Sequence, residues 1–300
     1  MPKRYKVLIT GSSGMLGADL CRELRSGYDV AGLDLVRGPG LAPGRFYRAD
    51  ITDARSVGNA IARARPDAVI HSAAWTDVDG CELDRKKAFA VNSAGTKNVA
   101  AACRKAGSVL IYISTDFVFD GKKKGPYSES DRTGPLSVYG RSKLRGEEYV
   151  AKILKRYLIV RTSWLYGKRG KNFVDTIAAR AKAGQPLRVV KDQVGSPTYT
   201  KDLAKAIHAL LGIITNDDPR FTIYGIYHVS NSGKVSWFGY AKSILKISGM
   251  NTKVLPISSR ELSRPARRPA MSVLDNSKFR KYTGYAMPGW KNALKRYLLN

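Results

Sequence analysis

The chain has 300 residues, 43% of them hydrophobic, and carries 52 Lys and Arg against 24 Asp and Glu for a formal net charge of +28. That is enough apolar material for one large α/β domain, or a main domain with a smaller companion. No apolar run reaches membrane-spanning length, and "MPKRYKVLIT" enters a strand-like run without a signal peptide, so a soluble, cytoplasmic protein off the membrane is expected.

In chain order, "KVLIT" predicts the first strand and "MLGADLCRELRS" the first helix, with "TGSSGMLG" between them. The loop sets Gly11, Gly14 and Gly17 three residues apart, with Ser13, Met15 and Leu16 among them. Glycine there permits a sharp turn and a close backbone approach, and the free N–H groups and dipole of a helix N-terminus favour a pyrophosphate. "YDVAGLD" reads as the second strand and ends at Asp34, about 20 residues past the loop, where a carboxylate hydrogen-bonds the ribose hydroxyls of NAD and repels a 2′-phosphate. Arg37, three residues on, is placed to hold that phosphate instead, so NAD is favoured and NADP left open. "RFYRAD" is the third strand, followed by Asp50 and Ile51 on the adenine side.

Strands at "DAVIHSAA", "VLIYIST" and "YLIVRTS" alternate with amphipathic helices at "ARSVGNAIARAR" and "RKKAFAVNSAGTKNVAAACRKAG". This rhythm predicts a doubly wound, parallel Rossmann-type sheet, and the unbroken apolar runs fit strands buried on both faces. From about residue 164 the rhythm becomes mixed. Helices are expected at "NFVDTIAARAKAG", "TKDLAKAIHALLG", "WFGYAKSILKISG" and "WKNALKRYLL", with strand-like "LRVV" and "YGIYHVS". Residues 1–163 are therefore read as a dinucleotide-binding domain, and 164–300 as mostly a smaller mixed α/β substrate-binding cap with segments returning to it.

Three widely spaced cysteines without C-x-x-C argue against a disulfide framework or zinc site, and no carboxylate cluster has ligand spacing, so no metal is expected. The basic residues attract polyanions, but they spread along the whole chain without a helix-turn-helix, zinc-finger or RNP pattern, so no specific nucleic-acid site is expected.

"VYGRSKLRGEEYV" places Tyr139 and Lys143 on one helix face. With 16 tyrosines in a lysine-rich chain, about one Tyr-x-x-x-Lys arises by chance, so the pair needs context. Ser114 and Thr115 supply it, leaving the fifth strand at the carboxyl edge where open α/β sheets bind ligands. Thr115 followed by Tyr139 and Lys143, the glycine loop, "HSAA" with Ser72, Ala73 and Ala74, and "VNSAGT" with Asn92 together resemble the extended short-chain dehydrogenase/reductase family. "AAWTDVDGCE", "ISTDFVFDG", "RTSWLYG", "DQVGSPTYTKDLA" and "RPAMSVLDNSKF" are similar to the dTDP-4-dehydrorhamnose reductase branch of it.

The resemblance implies NADH- or NADPH-dependent reduction of a 4-keto nucleotide sugar, dTDP-4-dehydro-L-rhamnose. In it Tyr139 is the general acid, Lys143 lowers its pKa and holds the nicotinamide ribose, and Thr115 bonds the substrate carbonyl. It further implies a sugar pocket formed by Thr76, Val78, Asp116 and Trp164, with Arg268 near the diphosphate, and it admits a homodimer. Two alternatives stay open: a reductase or epimerase of another nucleotide sugar, and a non-catalytic cofactor-binding subunit like the methionine adenosyltransferase beta subunit.

Overall fold

The computed structural model describes residues 4–38, 41–42, 44–215 and 223–299. The six strands expected in the first half are present as β1 (Lys6–Thr10), β2 (Asp29–Asp34), β3 (Phe46–Arg48), β4 (Ala68–His71), β5 (Val109–Thr115) and β6 (Tyr157–Thr162). Short strands β7 (Leu165–Tyr166), β8 (Leu187–Val190), β9 (Val194–Gly195) and β10 (Thr198–Tyr199) follow, then β11 (Gly225–His228), β12 (Val235–Ser236) and β13 (Val254–Ile257). The main sheet is parallel, seven-stranded and ordered β11-β6-β5-β4-β1-β2-β3. Its order reverses between β1 and β4, which opens a crevice at the carboxyl ends of those strands.

Leu8 and Ile9, adjacent on β1, point to opposite faces of the sheet and are both 0% exposed, so each face carries its own core. On one face Leu20 and Leu24 of helix α1 (Met15–Leu24) pack with Ile9, Ile70 and Ile111. On the other, α2 (Ala54–Ala64) contributes Val57 and Ile61 against Leu8, Val69 and Leu110.

Short helices α3 (Val78–Leu83) and α4 (Arg85–Phe89) lead to α5 (Thr96–Ala106). The sequence predicts a single helix over 85–107, but Ala90–Gly95 is a π-helical turn between α4 and α5. The buried Asn92 side chain accepts from Trp75 N and donates to Trp75 O and to Ser142 Oγ, and such tertiary bonds favour a local bulge over a uniform α-helix.

Helix α6 (Val138–Ile153) starts at Ser137, whose hydroxyl accepts the Gly140 N–H and so fixes the phase of everything that follows. The second half adds α7 (Phe173–Lys182), α8 (Thr200–Thr215), α9 (Trp237–Ile247), α10 (Ser259–Leu262), α11 (Ser277–Thr283) and α12 (Trp290–Leu298). Helix α10 buries no residue, while the other five divide between two places. Helix α8 packs on α1, burying Leu203, Ile207 and Leu210 against the main sheet, and α11 docks on β11. Helices α7, α9 and α12 enclose a third core of Ile177, Tyr240, Ile244, Trp290 and Leu294 beside the carboxyl edge.

Leu20→Ala removes a fully buried side chain between α1 and the sheet, and denaturant unfolding should show a loss of about 2–5 kcal/mol. A loss below about 1 kcal/mol would mean that α1 is not packed as described.

Candidate active site

The glycine loop forms a tight cradle. Gly11 has φ +69°, and a Cβ there would lie 2.7 Å from Ala73 N; a Cβ at Gly17 would collide with the Gly11 carbonyl. Gly14 is the N-cap of α1 and no side chain caps that helix, so its first-turn N–H groups are left to a ligand or water. Asp34 ends β2 beside the loop, its Oδ2 accepting from Ser13 N at 3.0 Å and its Oδ1 from Leu35 N at 2.7 Å. A cradle that only glycine fits, an uncapped helix N-terminus and a carboxylate at the neighbouring strand end suit a dinucleotide pyrophosphate and ribose.

A cavity of 440 Å³ lies against this cradle at the carboxyl edge. It is lined by Gly11, Gly14, Met15, Leu16, Gly17, Ser72, Ala74, Thr76, Val78, Thr115, Asp116, Tyr139, Lys143, Trp164 and Arg268. Residues anticipated from distant parts of the sequence thus meet in one chamber. Ser13, Asp34, Arg37, Asp50, Ile51 and Ala73 sit outside its walls: Ala73 backs Gly11, and Ile51 is buried against Gly95. Arg37 is exposed and donates to the Leu41 carbonyl, while Asp50 accepts from Thr52. A larger cleft of 860 Å³, lined by Tyr5, Asp67, Lys105 and Arg156 among others, opens at the opposite edge of the sheet, away from the end where parallel strands present ligand-binding loops.

Within the chamber Tyr139 is 8% exposed, Thr115 5% and Lys143 3%. Burial raises the Tyr139 phenol above its ordinary range, and a hydrogen bond with Thr115 pulls the other way. Thr115 Oγ1 donates to Asp116 Oδ1 at 3.1 Å and accepts the Phe117 N–H at 3.2 Å. Lys143 Nζ donates to the Ile113 carbonyl at 2.7 Å and lies 4.2 Å from the Tyr112 ring centroid. Burial lowers this ammonium to about 7, with the Glu147 carboxylate opposing. Desolvation thus dominates at both groups, favouring the neutral phenol and the neutral amine.

The far wall holds Trp164 and Arg268, as expected, together with Trp237, which the sequence did not single out as a site residue. Trp164 has φ +48°, a left-handed conformation that costs a bulky residue about 1–3 kcal/mol. Its ring stacks on Trp237 at 3.4 Å between centroids and 3° between planes, and Gly195 packs against it. Trp237 opens α9 behind the Ser236 cap; its sequence marked it only as part of an amphipathic helix. Arg268 reaches the cavity, but its guanidinium is held by Asp79 at 2.9 Å. Asp79 also bonds Arg264 and the Ala266 N–H, so the 264–268 segment is strapped to α3.

Asp116 is 1% exposed, with the Thr115 and Ser272 hydroxyls at its carboxyl group. Burial pushes its carboxyl up to about 7. Between the ordinary carboxylate value and that pH the folded chain holds a proton that the unfolded chain lacks, so this residue's contribution to stability falls as pH rises and is flat above about 7. Asp116→Asn should gain stability over the parent progressively from pH 4 to 7 and then level off, by at most about 4 kcal/mol in denaturant unfolding. A difference that does not vary with pH would put this carboxyl in the ordinary range.

A protein-family model, the RmlD substrate binding domain, matches residues 5–300. The spore coat polysaccharide biosynthesis protein SpsK of Bacillus subtilis is 42% identical over 294 residues, covering 98% of this chain and 96% of that protein. A dTDP-4-dehydrorhamnose reductase of Streptomyces griseus is 40% identical over 295 residues, covering 97% and 92%. Among solved structures, dTDP-4-dehydrorhamnose reductase from Bacillus anthracis in complex with NADP matches with TM-score 0.89 at 39% identity, over 99% of each chain. With the match running along nearly its whole length, the chain belongs to the RmlD substrate-binding-domain family.

Proposed function

We propose that the chain is an NAD(P)H-dependent reductase that converts the 4-keto group of dTDP-4-dehydro-L-rhamnose to the alcohol of dTDP-L-rhamnose. The observation that carries this reading is the convergence of Thr115, Tyr139 and Lys143 on one cavity wall beside a dinucleotide cradle. Family membership and the reductases among its relatives support it.

Reduction of a ketone needs a hydride on carbon and a proton on oxygen. Bound at the cradle, the reduced nicotinamide supplies the hydride. The α1 N-terminus would hold the pyrophosphate and Asp34 the ribose hydroxyls, which favours NADH; Arg37 is near enough in sequence to serve the 2′-phosphate of NADPH. Thr115 orients the carbonyl by donating to its oxygen. Tyr139, kept protonated by burial, gives its proton to that oxygen, and the Lys143 ammonium stabilises the phenolate left behind. Trp164, backed by Trp237, forms the apolar wall for the deoxysugar together with Thr76 and Val78. Arg268 meets the diphosphate by exchanging Asp79 for it. A cytoplasmic setting, where reduced nicotinamide is maintained, fits this chemistry.

The test is oxidation of NADH and NADPH with enzymatically generated dTDP-4-dehydro-L-rhamnose. Tyr139→Phe should lower kcat by about 10²–10⁴-fold while cofactor affinity stays within a few-fold, since only the proton donor is lost. Near-normal turnover in that variant would remove tyrosine from the role, and a parent chain that binds cofactor but does not turn over would point to another nucleotide sugar or to a regulatory subunit. Asp34→Ala should shift the kcat/KM ratio toward NADPH by roughly tenfold or more, about 1.4 kcal/mol. An unchanged ratio would assign the selection to Arg37 or another group.

A further inference from the structure

Tyr139, Lys143 and Glu147 recur every fourth residue along α6, so they stand in line on one face of the helix. Opposite them are three consecutive residues at the carboxyl end of β5. Thr115 lies beside Tyr139 on the cavity wall, the Ile113 carbonyl accepts from Lys143 at 2.7 Å, and the Ser114 hydroxyl donates to Glu147 Oε1 at 2.5 Å. Each strand residue thus takes one member of the helical stripe.

Glu147 is 4% exposed and Arg161 2%. Arg161, the register partner of Ser114 on β6, clamps the carboxylate with Nε at 3.0 Å and an Nη at 2.7 Å. A buried ion pair is a poor device for stability alone, because apolar residues of like volume commonly serve as well or better. Its place, one helical turn beyond Lys143 and on the same face, gives it another use.

We propose that Glu147, anchored by Ser114 and Arg161, is a positioning residue that sets α6 against the end of β5 and so holds Lys143 at the Ile113 carbonyl beside Tyr139. This rests on the reductase reading above. The groups facing Lys143 are few. Tyr139 and Glu147 share its helix; Tyr112 comes from β5, with His71 from β4 stacked on it at 5.4 Å. Arg161 lies on β6, and Asp116 and Cys81 flank Tyr139. His71 is driven down to about 3 by burial and is neutral; burial also holds the Tyr112 phenol and the Cys81 thiol uncharged at neutral pH. Asp116 sits at the tyrosine end of the stripe. That leaves Glu147 as the carboxylate offsetting the desolvation of Lys143 from within α6.

The decisive variant is Glu147→Gln with Arg161→Met, which removes both charges and avoids leaving a buried guanidinium uncompensated. Lysine labelled with 13C at Cε reports the Lys143 titration in the unliganded protein, and Lys143→Arg identifies the resonance. The Lys143 midpoint should fall by roughly half a pH unit in the double variant, the nearer carboxylate outweighing the Arg161 charge removed with it, and the high-pH limb of kcat should move down by the same amount. Glu147→Asp, which keeps the charge, should restore most of the shift. An unmoved midpoint and an unmoved kcat limb in a cooperatively folded double variant would overturn the proposal, as would a double variant that does not fold, since the pair would then be a determinant of the fold. The titration needs no substrate, so failure of the reductase reading, seen as no turnover by the parent chain, is distinguishable from failure of this one.

Discussion

The wall of the cavity depends on how closely one helix, α6, lies on the carboxyl end of one strand, β5. Two glycines permit that approach. A Cβ at residue 140 would collide with the Phe117 carbonyl, and one at residue 146 would lie 2.5 Å from the Tyr112 hydroxyl and 2.8 Å from the Asn92 carbonyl. The Ser137 cap fixes where the helix begins, and the spacing of four carries that phase through Tyr139, Lys143 and Glu147. The π-turn at Asn92 belongs to the same arrangement, since Asn92 ties Trp75 to Ser142 on α6. Moving any of these by one residue would turn the stripe away from β5.

Holding charged groups in this contact is costly. Lys143, Glu147, Arg161 and Asp116 are all buried near the carboxyl edge, and desolvation shifts Lys143 and Asp116 toward their neutral forms. The cost is offset elsewhere, by two apolar cores that cover both faces of the sheet and a third between α7, α9 and α12. A rigid scaffold of this kind tolerates strain at the site, as at Trp164, whose left-handed backbone is held by its stack on Trp237 and the seat at Gly195.

What the sequence made legible is what short-range chemistry dictates. The strand, glycine loop and helix at residues 6–24 are contiguous, so their roles follow from one stretch, and the spacing of Tyr139 and Lys143 already places them on one face. The unbroken apolar strands announced a sheet covered on both sides. Residues joined only by tertiary contact were not legible in this way. Asp79 holds Arg268 across 189 positions, and no local pattern in "VDGCEL" signals that partner. Trp237 and Trp164 meet because α9 folds back on the cavity, and nothing local pairs Glu147 with Arg161 until β6 is set beside β5. The π-turn escaped for the same reason, because its cause is a bond network to Trp75 and Ser142 and not helix propensity.

The most direct measurement is the fate of the hydride. A 4-keto nucleotide sugar would be reduced with cofactor deuterated at the transferable position of the nicotinamide, and the product read by proton NMR. If α6 and β5 present the sugar carbonyl to the cradle as argued, deuterium appears at C4 of the sugar in the parent chain, with the yield per unit time collapsing in Tyr139→Phe. Deuterium at another sugar carbon, or oxidised cofactor without a labelled sugar, would contradict the assignment of this site.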